Sequence, residues 1–340
     1  MRNTHTFRIA PRLLSAFAIA IMVAACGGGD DGDGGSGGVD ITDDPAPPMP
    51  TTVAFNIRTK DTATLTLTAD GISIAYPLLD YSGTWNRTAQ AWTLGGRTGV
   101  DSGAALFGRF QAASVVPVSW TGDSPPTAGK LEFITPAGNS FFLPELVQAT
   151  FDTSTLPVLL TYGATTSRYD WDAYLSLWID DTQPREWQLA SFGGTASFLV
   201  ADRTQLILNL MAYINANDTR IASAGAAGLV TDCSARPGAA TGTRKIALAN
   251  PDGVLNPGDG LVVTYTNCWI DDPTDNIDLL YNGSIALNGY IENRTPFSTG
   301  FDEFRFNSLS EQETETVGSV VNVDPLPIVT TGTMTLFVTP

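Results

Sequence analysis

Strict two-residue alternation constrains this chain most. Thr62-Ala63-Thr64-Leu65-Thr66-Leu67-Thr68 alternates polar with apolar, as does Gly71-Ile72-Ser73-Ile74-Ala75-Tyr76, and Asp70-Gly71 between them is a strong hairpin turn. Only a strand places alternate residues on opposite faces, so the segment calls for a half-buried antiparallel hairpin. Ala104–Phe110, Lys130–Thr135, Phe141–Leu143 and Val158–Tyr162 read as further strands, and so do Arg244–Leu248, Leu261–Asn267, Leu279–Ile291, Phe301–Leu309, Glu315–Val321 and Thr331–Val338. Gly and Pro punctuate these runs at short intervals. The expected fold class is mainly β, built of antiparallel curved sheets or incomplete barrels with little helix.

One stretch fits two readings. Asp202-Arg203-Thr204-Gln205 resembles a capping box, with Leu206, Ile207, Leu210, Met211 and Ile214 on one helix face. Leu206, Leu208, Leu210, Ala212 and Ile214 also alternate as a strand, after a strand-like Thr195–Ala201 run. Asn209, Asn215 and Asn217 are poor helix formers, which favours the strand. Small residues at Ser223–Gly228 mark an expected boundary between domains at 51–228 and 229–340.

The N-terminus reads as an export signal. Arg2, Arg8 and Arg12 form a basic start, and Leu13–Val23 is apolar apart from Ser15, too short to span a bilayer. Val23-Ala24-Ala25-Cys26 then resembles the lipobox of bacterial lipoprotein signal peptides. The resemblance implies cleavage after residue 25, a diacylglyceryl thioether on Cys26 and an acylated amino group. Gly27 after the cysteine implies sorting to the outer membrane. Residues 26–50 form a Gly/Asp tether stiffened by Pro45, Pro47, Pro48 and Pro50. The membrane, reached through the lipid, is the one expected partner that the sequence supplies.

Charge and composition then exclude whole classes of function. The formal charge is −17, and loss of Arg2, Arg8 and Arg12 with the leader takes it to −20. Such a body repels nucleic acid. The single histidine, His5, leaves with the leader. The mature chain is then without Ser-His-Asp or Cys-His catalysis and without any His-ligated metal site. Besides Cys26 there are Cys233 and Cys268, which in an exported protein most simply form a disulfide worth roughly 3–4 kcal/mol; two free thiols are the other reading.

The strongest candidate site is Tyr169–Asp181. As a strand it would put Asp170, Asp172, Tyr174, Ser176, Trp178 and Asp180 on one face. Rings that stack on sugars beside carboxylates that accept hydroxyl protons suit a glycan, and paired carboxylates suit glycoside hydrolysis. Ordinary packing on a solvated face explains the same residues without a ligand. Asn250–Asp259 and the acidic Asp271–Asp278 loop are faint calcium candidates, both explained as turns without metal. Neither a P-loop nor a G-x-S-x-G is present, and no cofactor is implied.

Cys233, the Leu255-Asn256-Pro257-Gly258-Asp259 turn, Val263–Cys268 and Leu287-Asn288-Gly289 resemble a module of lipoproteins from environmental proteobacteria. Those proteins share a lipobox, a Gly/Asp tether and a cysteine pair around a "leucine-x-x-Gly-Asp" turn. The resemblance implies no particular activity. The expected function is an outer-membrane lipoprotein acting as a non-catalytic binding or surface-structural module. The alternatives are a carrier of an apolar ligand in a curved sheet and a carboxylate-based polysaccharide hydrolase.

Overall fold

The computed structural model describes residues 51–59, 64–69, 72–86, 88–103, 106–121, 124–136, 146–233, 242–250, 258–271, 277–289, 291–292, 299–317, 320–323 and 327–339. The export signal, Cys26, the tether and the expected Phe141–Leu143 strand lie outside these residues.

The first half is a run of antiparallel strands. Strand β1 (Thr52–Arg58) precedes the hairpin β2 (Leu65–Ala69) and β3 (Ile72–Asn86). The hairpin pairs Ala69 with Ile72, as the alternation requires, though its Asp70-Gly71 turn falls outside the described residues. Then follow β4 (Ala91–Asp101), β5 (Arg109–Thr121), β6 (Ala128–Ile134), β7 (Leu146–Phe151), β8 (Val158–Tyr162) and β9 (Thr165–Tyr169). Each pairs with the next from β3 to β9. Of the strand expected over 104–110, Arg109 and Phe110 begin β5, Leu106 and Phe107 lie in the turn before it with Phe107 buried, and residues 104–105 lie outside the described residues.

Helices interrupt the sheet at this point. They are α1 (Trp171–Ser176), a 3₁₀ turn (Leu177–Ile179), the long α2 (Arg185–Ala216), α3 (Asp218–Ala224) and a second 3₁₀ turn (Gly225–Ala227). The chain returns to strand in β10 (Leu229–Cys233), β11 (Gly242–Leu248), β12 (Leu261–Asp271) and β13 (Ile277–Asn288). Short β14 (Ile291–Glu292) and β15 (Thr299–Gly300) pair apart from the main sheet. Strands β16 (Glu303–Val317), β17 (Val320–Val323) and β18 (Ile328–Thr339) complete the chain. Strand β16 runs through Leu309 without a break, so the expected strand starting at Glu315 is in part its continuation.

Sixteen strands form one curved antiparallel sheet: fourteen run in the order β10-β11-β12-β13-β16-β18-β1-β3-β4-β5-β6-β7-β8-β9, and β17 pairs with β16 beside this path. Strand β2 shares the lane of β1 between β18 and β3. The first and last strands meet, from Ala54 opposite Thr339 to Arg58 opposite Thr335. The boundary expected near 228 marks the return from helix to strand, and the strands on its two sides belong to the same sheet.

Alternation sets the two faces. Val53, Phe55 and Ile57 of β1, Leu131 and Phe133 of β6, and Leu261, Val263 and Tyr265 of β12 are buried. Between such residues, Thr93, Lys130, Glu132, Gln148, Thr264, Arg305, Asn307 and Thr335 are half-buried or exposed on the outer face. At these positions the outer face is polar, although Val116, Ile134, Val230 and Phe337 are also exposed. Among the described residues no helix is long and apolar enough to cross a membrane.

The concave face is filled by α2. Every residue from Trp187 to Leu208 is buried. The strand expected over Thr195–Ala201 and 206–214 is therefore corrected to helix. A helix enclosed on every side carries apolar residues all round and loses the 3.6-residue period that would reveal it. Three of its polar side chains bond within the helix: Ser197 Oγ donates to the Gly193 carbonyl at 2.9 Å, Thr204 Oγ1 to Val200 at 2.8 Å and Asn215 Nδ2 to Met211 at 2.8 Å.

Aromatic rings lock the helix to the sheet. Phe192 packs on Phe107 of the β4–β5 turn (5.0 Å between centroids) and Phe110 of β5 (6.1 Å). Phe198 meets Trp120 edge-on (5.8 Å) at the end of a stacked row, Trp85–Trp92–Trp120, carried by the registered strands β3, β4 and β5. Close approach also requires the glycine pair. A Cβ on Gly193 would stand 2.4 Å from the Phe133 ring, and one on Gly194 2.1 Å from the Tyr174 hydroxyl. Gly193→Ala is expected to lower the unfolding free energy by about 1–3 kcal/mol, although alanine favours a helix by about 1 kcal/mol. Urea denaturation measures this, and a variant as stable as the parent would contradict the packing described.

Candidate functional site

The Tyr169–Asp181 segment folds differently from its expected strand. Tyr169 ends β9, and Asp170 caps α1, its Oδ1 accepting from the Ala173 N–H at 2.7 Å. Trp171, Tyr174, Leu175 and Trp178 are buried, at helical spacing. The Tyr174 hydroxyl donates to the Ala190 carbonyl of α2 at 2.8 Å, and burial raises its pKa. Trp171 packs against Phe198 (5.4 Å) and Trp178 against Phe192 (5.6 Å).

The acids of the candidate face stay outside. Asp172 is exposed in the first turn of α1. Asp180 accepts from the Thr182 hydroxyl at 2.6 Å, from the Thr182 N–H at 3.0 Å and from Gln183 Nε2 at 3.1 Å. The Thr182 hydroxyl bond leads these in holding its carboxyl below the usual range. Tyr174 and Trp178 thus point into the core while Asp170, Asp172 and Asp180 remain at the surface. The mixed face of rings and carboxylates expected from a strand is not formed, because helix and 3₁₀ turn replace the two-residue period.

Cys233 and Cys268 are joined, with Cα atoms 4.9 Å apart and a sequence separation of 35. The bond ties edge strand β10 to β12 across β11. Gly242 permits this, since a Cβ there would lie 1.6 Å from the Asn267 carbonyl oxygen. Asn267 itself has φ 47° at the point where the β12–β13 register shifts. Of the calcium candidates, residues 251–257 and 272–276 lie outside the described residues, and Asn250 Nδ2 donates to Asp259 Oδ1 at 3.4 Å. Among the described residues no three His, Cys, Asp or Glu side chains are arranged to hold a metal.

The most unusual chemistry lies inside the sheet. Arg203 of α2 is fully buried, with Nη1 2.8 Å from Glu311 Oε2 and Nη2 3.2 Å from Asp202 Oδ2. Glu311 of β16 faces Tyr281 of β13 across one rung, and Thr330 of β18 points into the same interior. From β3, the Tyr76 hydroxyl donates to the Ala196 carbonyl at 3.0 Å and the Tyr81 hydroxyl to Ser197 Oγ at 3.2 Å. Burial raises Asp202 well above the usual carboxylate range, against the pull of Arg203. Arg203 stays charged, held chiefly by Glu311 against the penalty of its own burial.

The signal in the sequence for this cluster is a charged pair, Asp202-Arg203, between the largely apolar runs 196–201 and 206–214. No protein-family model, no curated protein and no solved structure matches the chain.

Arg203→Met should leave two buried carboxyl groups without their cation and destabilise the fold by about 3–5 kcal/mol. A thermal or urea unfolding curve measures the loss, and a change within about 0.5 kcal/mol, as at ordinary surface positions, would show that the guanidinium holds nothing together.

Proposed function

We propose that this chain is a lipid-anchored protein of the outer membrane whose folded body is a non-catalytic binding or surface-structural module. The anchor reading rests on the basic start, the short apolar run and the Val23–Cys26 lipobox, followed by a tether that would hold the body away from the bilayer. One observation carries the reading of the body: α2 and its aromatic partners occupy the concave face of the sheet, where a carrier would hold its ligand.

The hydrolase reading has less support, since the Asp170 and Asp180 carboxyls serve as acceptors for the local backbone. The polar outer face and the sheet edges are what such a body offers to a partner. A glycan remains a candidate ligand there, met by side chains other than the buried Tyr174 and Trp178.

Radiolabelled palmitate should enter the wild-type protein and not Cys26→Ser, and the wild type should fractionate with the outer membrane. Label retained by the variant would defeat the anchor, and a wild type found in the inner-membrane fraction would defeat the address.

A further inference from the structure

Two carboxyl groups share one guanidinium in an interior closed to solvent. The side chains of Asp202, Arg203 and Glu311 are 1%, 0% and 1% exposed. With both acids ionised the group would carry one uncompensated negative charge, which a dry interior disfavours strongly. The geometry says which acid gives way. Glu311 holds the guanidinium through a hydrogen bond at 2.8 Å. Asp202 has only the longer charge contact at 3.2 Å, and neither of its oxygens makes a hydrogen bond.

Glu311 Oε1 is buried without a hydrogen-bond partner, and the Tyr281 and Thr330 hydroxyls, each able to donate and to accept, are buried on the strands beside it. A neutral Asp202 turns one unpartnered acceptor into a donor amid these groups.

We propose that the cluster stores one proton on Asp202 at neutral pH, so that the fold is linked to the uptake of one proton. The titratable and charged groups that face Asp202 are Arg203 on its own helix, Glu311 from β16 and Tyr281 from β13, with Tyr76 of β3 beyond Arg203. Burial first, then the charge of Glu311, keeps Tyr281 neutral, and burial keeps Tyr76 neutral, so neither competes for the charge change.

The sign follows from the direction of the Asp202 shift. Burial, opposed by Arg203 and helped by Glu311, moves it up to about 8 from an ordinary 3.8. The folded chain then holds a proton that the unfolded chain releases. Stability contributed by this group is full below the unfolded value and falls as pH rises toward the folded one.

The test is urea unfolding of the wild type and Asp202→Asn across that window. The wild-type folding constant should fall by up to roughly tenfold more per pH unit than that of the variant, a slope of about one proton. Parallel slopes would overturn the proposal. A second measurement needs no variant: infrared spectra of wild-type protein with ¹³C-carboxyl aspartate. A protonated carboxyl band should be present at neutral pH, shift with the aspartate label and vanish in alkali while the fold persists. Absence of any label-sensitive protonated band at neutral pH would overturn the proposal on its own.

Discussion

A wide antiparallel sheet with one apolar face can curl upon itself only around something that fills the space within. In this chain that filling is a single helix, Arg185–Ala216, enclosed from Trp187 to Leu208. Each large side chain so buried contributes roughly 1.5–3 kcal/mol, so helix and sheet stabilise each other and neither has a core alone. The rings of Phe192 and Phe198 pack on Phe110 and Trp120 of β5, and Gly193 and Gly194 let Phe133 and Tyr174 come up against the helix backbone. The meeting of β1 with β18 then ties the two ends of the sheet's sequence together.

Enclosure imposes a condition on polar groups. Ser197, Thr204 and Asn215 meet it locally, each donating to a carbonyl one turn back. Arg203 cannot, and it reaches across to Glu311 on β16, which joins the helix to the C-terminal wall by charge as well as by packing. Buried pairs of this kind contribute little to net stability when compared with apolar residues of the same size. What the pair does supply is register: one position along α2 meets one position along β16.

The strands were legible in the sequence because each has one wet face. Leu65–Ala69 and Ile72–Tyr76, Val158–Tyr162 and Leu261–Asn267 alternate, and each falls within a strand. The disulfide was legible because reading Cys26 as the lipidated residue of an exported chain leaves Cys233 and Cys268 for each other, and the fold brings those two together. The central helix was not legible. A segment dry on all sides shows no amphipathic period, and Asn215 and Asn217 argue against helix until their bonds to the Met211 and Tyr213 carbonyls are seen. The Tyr169–Asp181 segment satisfied both periods. Its rings at 171, 174 and 178 fit a helix as well as its acids at 170, 172 and 180 fit a strand face, and the Asp170 cap decided between them.

The account stands or falls on the central helix being the most enclosed element of the protein. Native-state hydrogen exchange resolved along the chain tests this most directly. Amides from Trp187 to Leu208 should exchange slowest of all, and only through global unfolding, while the edge strands Thr165–Tyr169 and Leu229–Cys233 open at much lower free energy. Exchange in the helix as fast as at those edges would contradict a fold built around it.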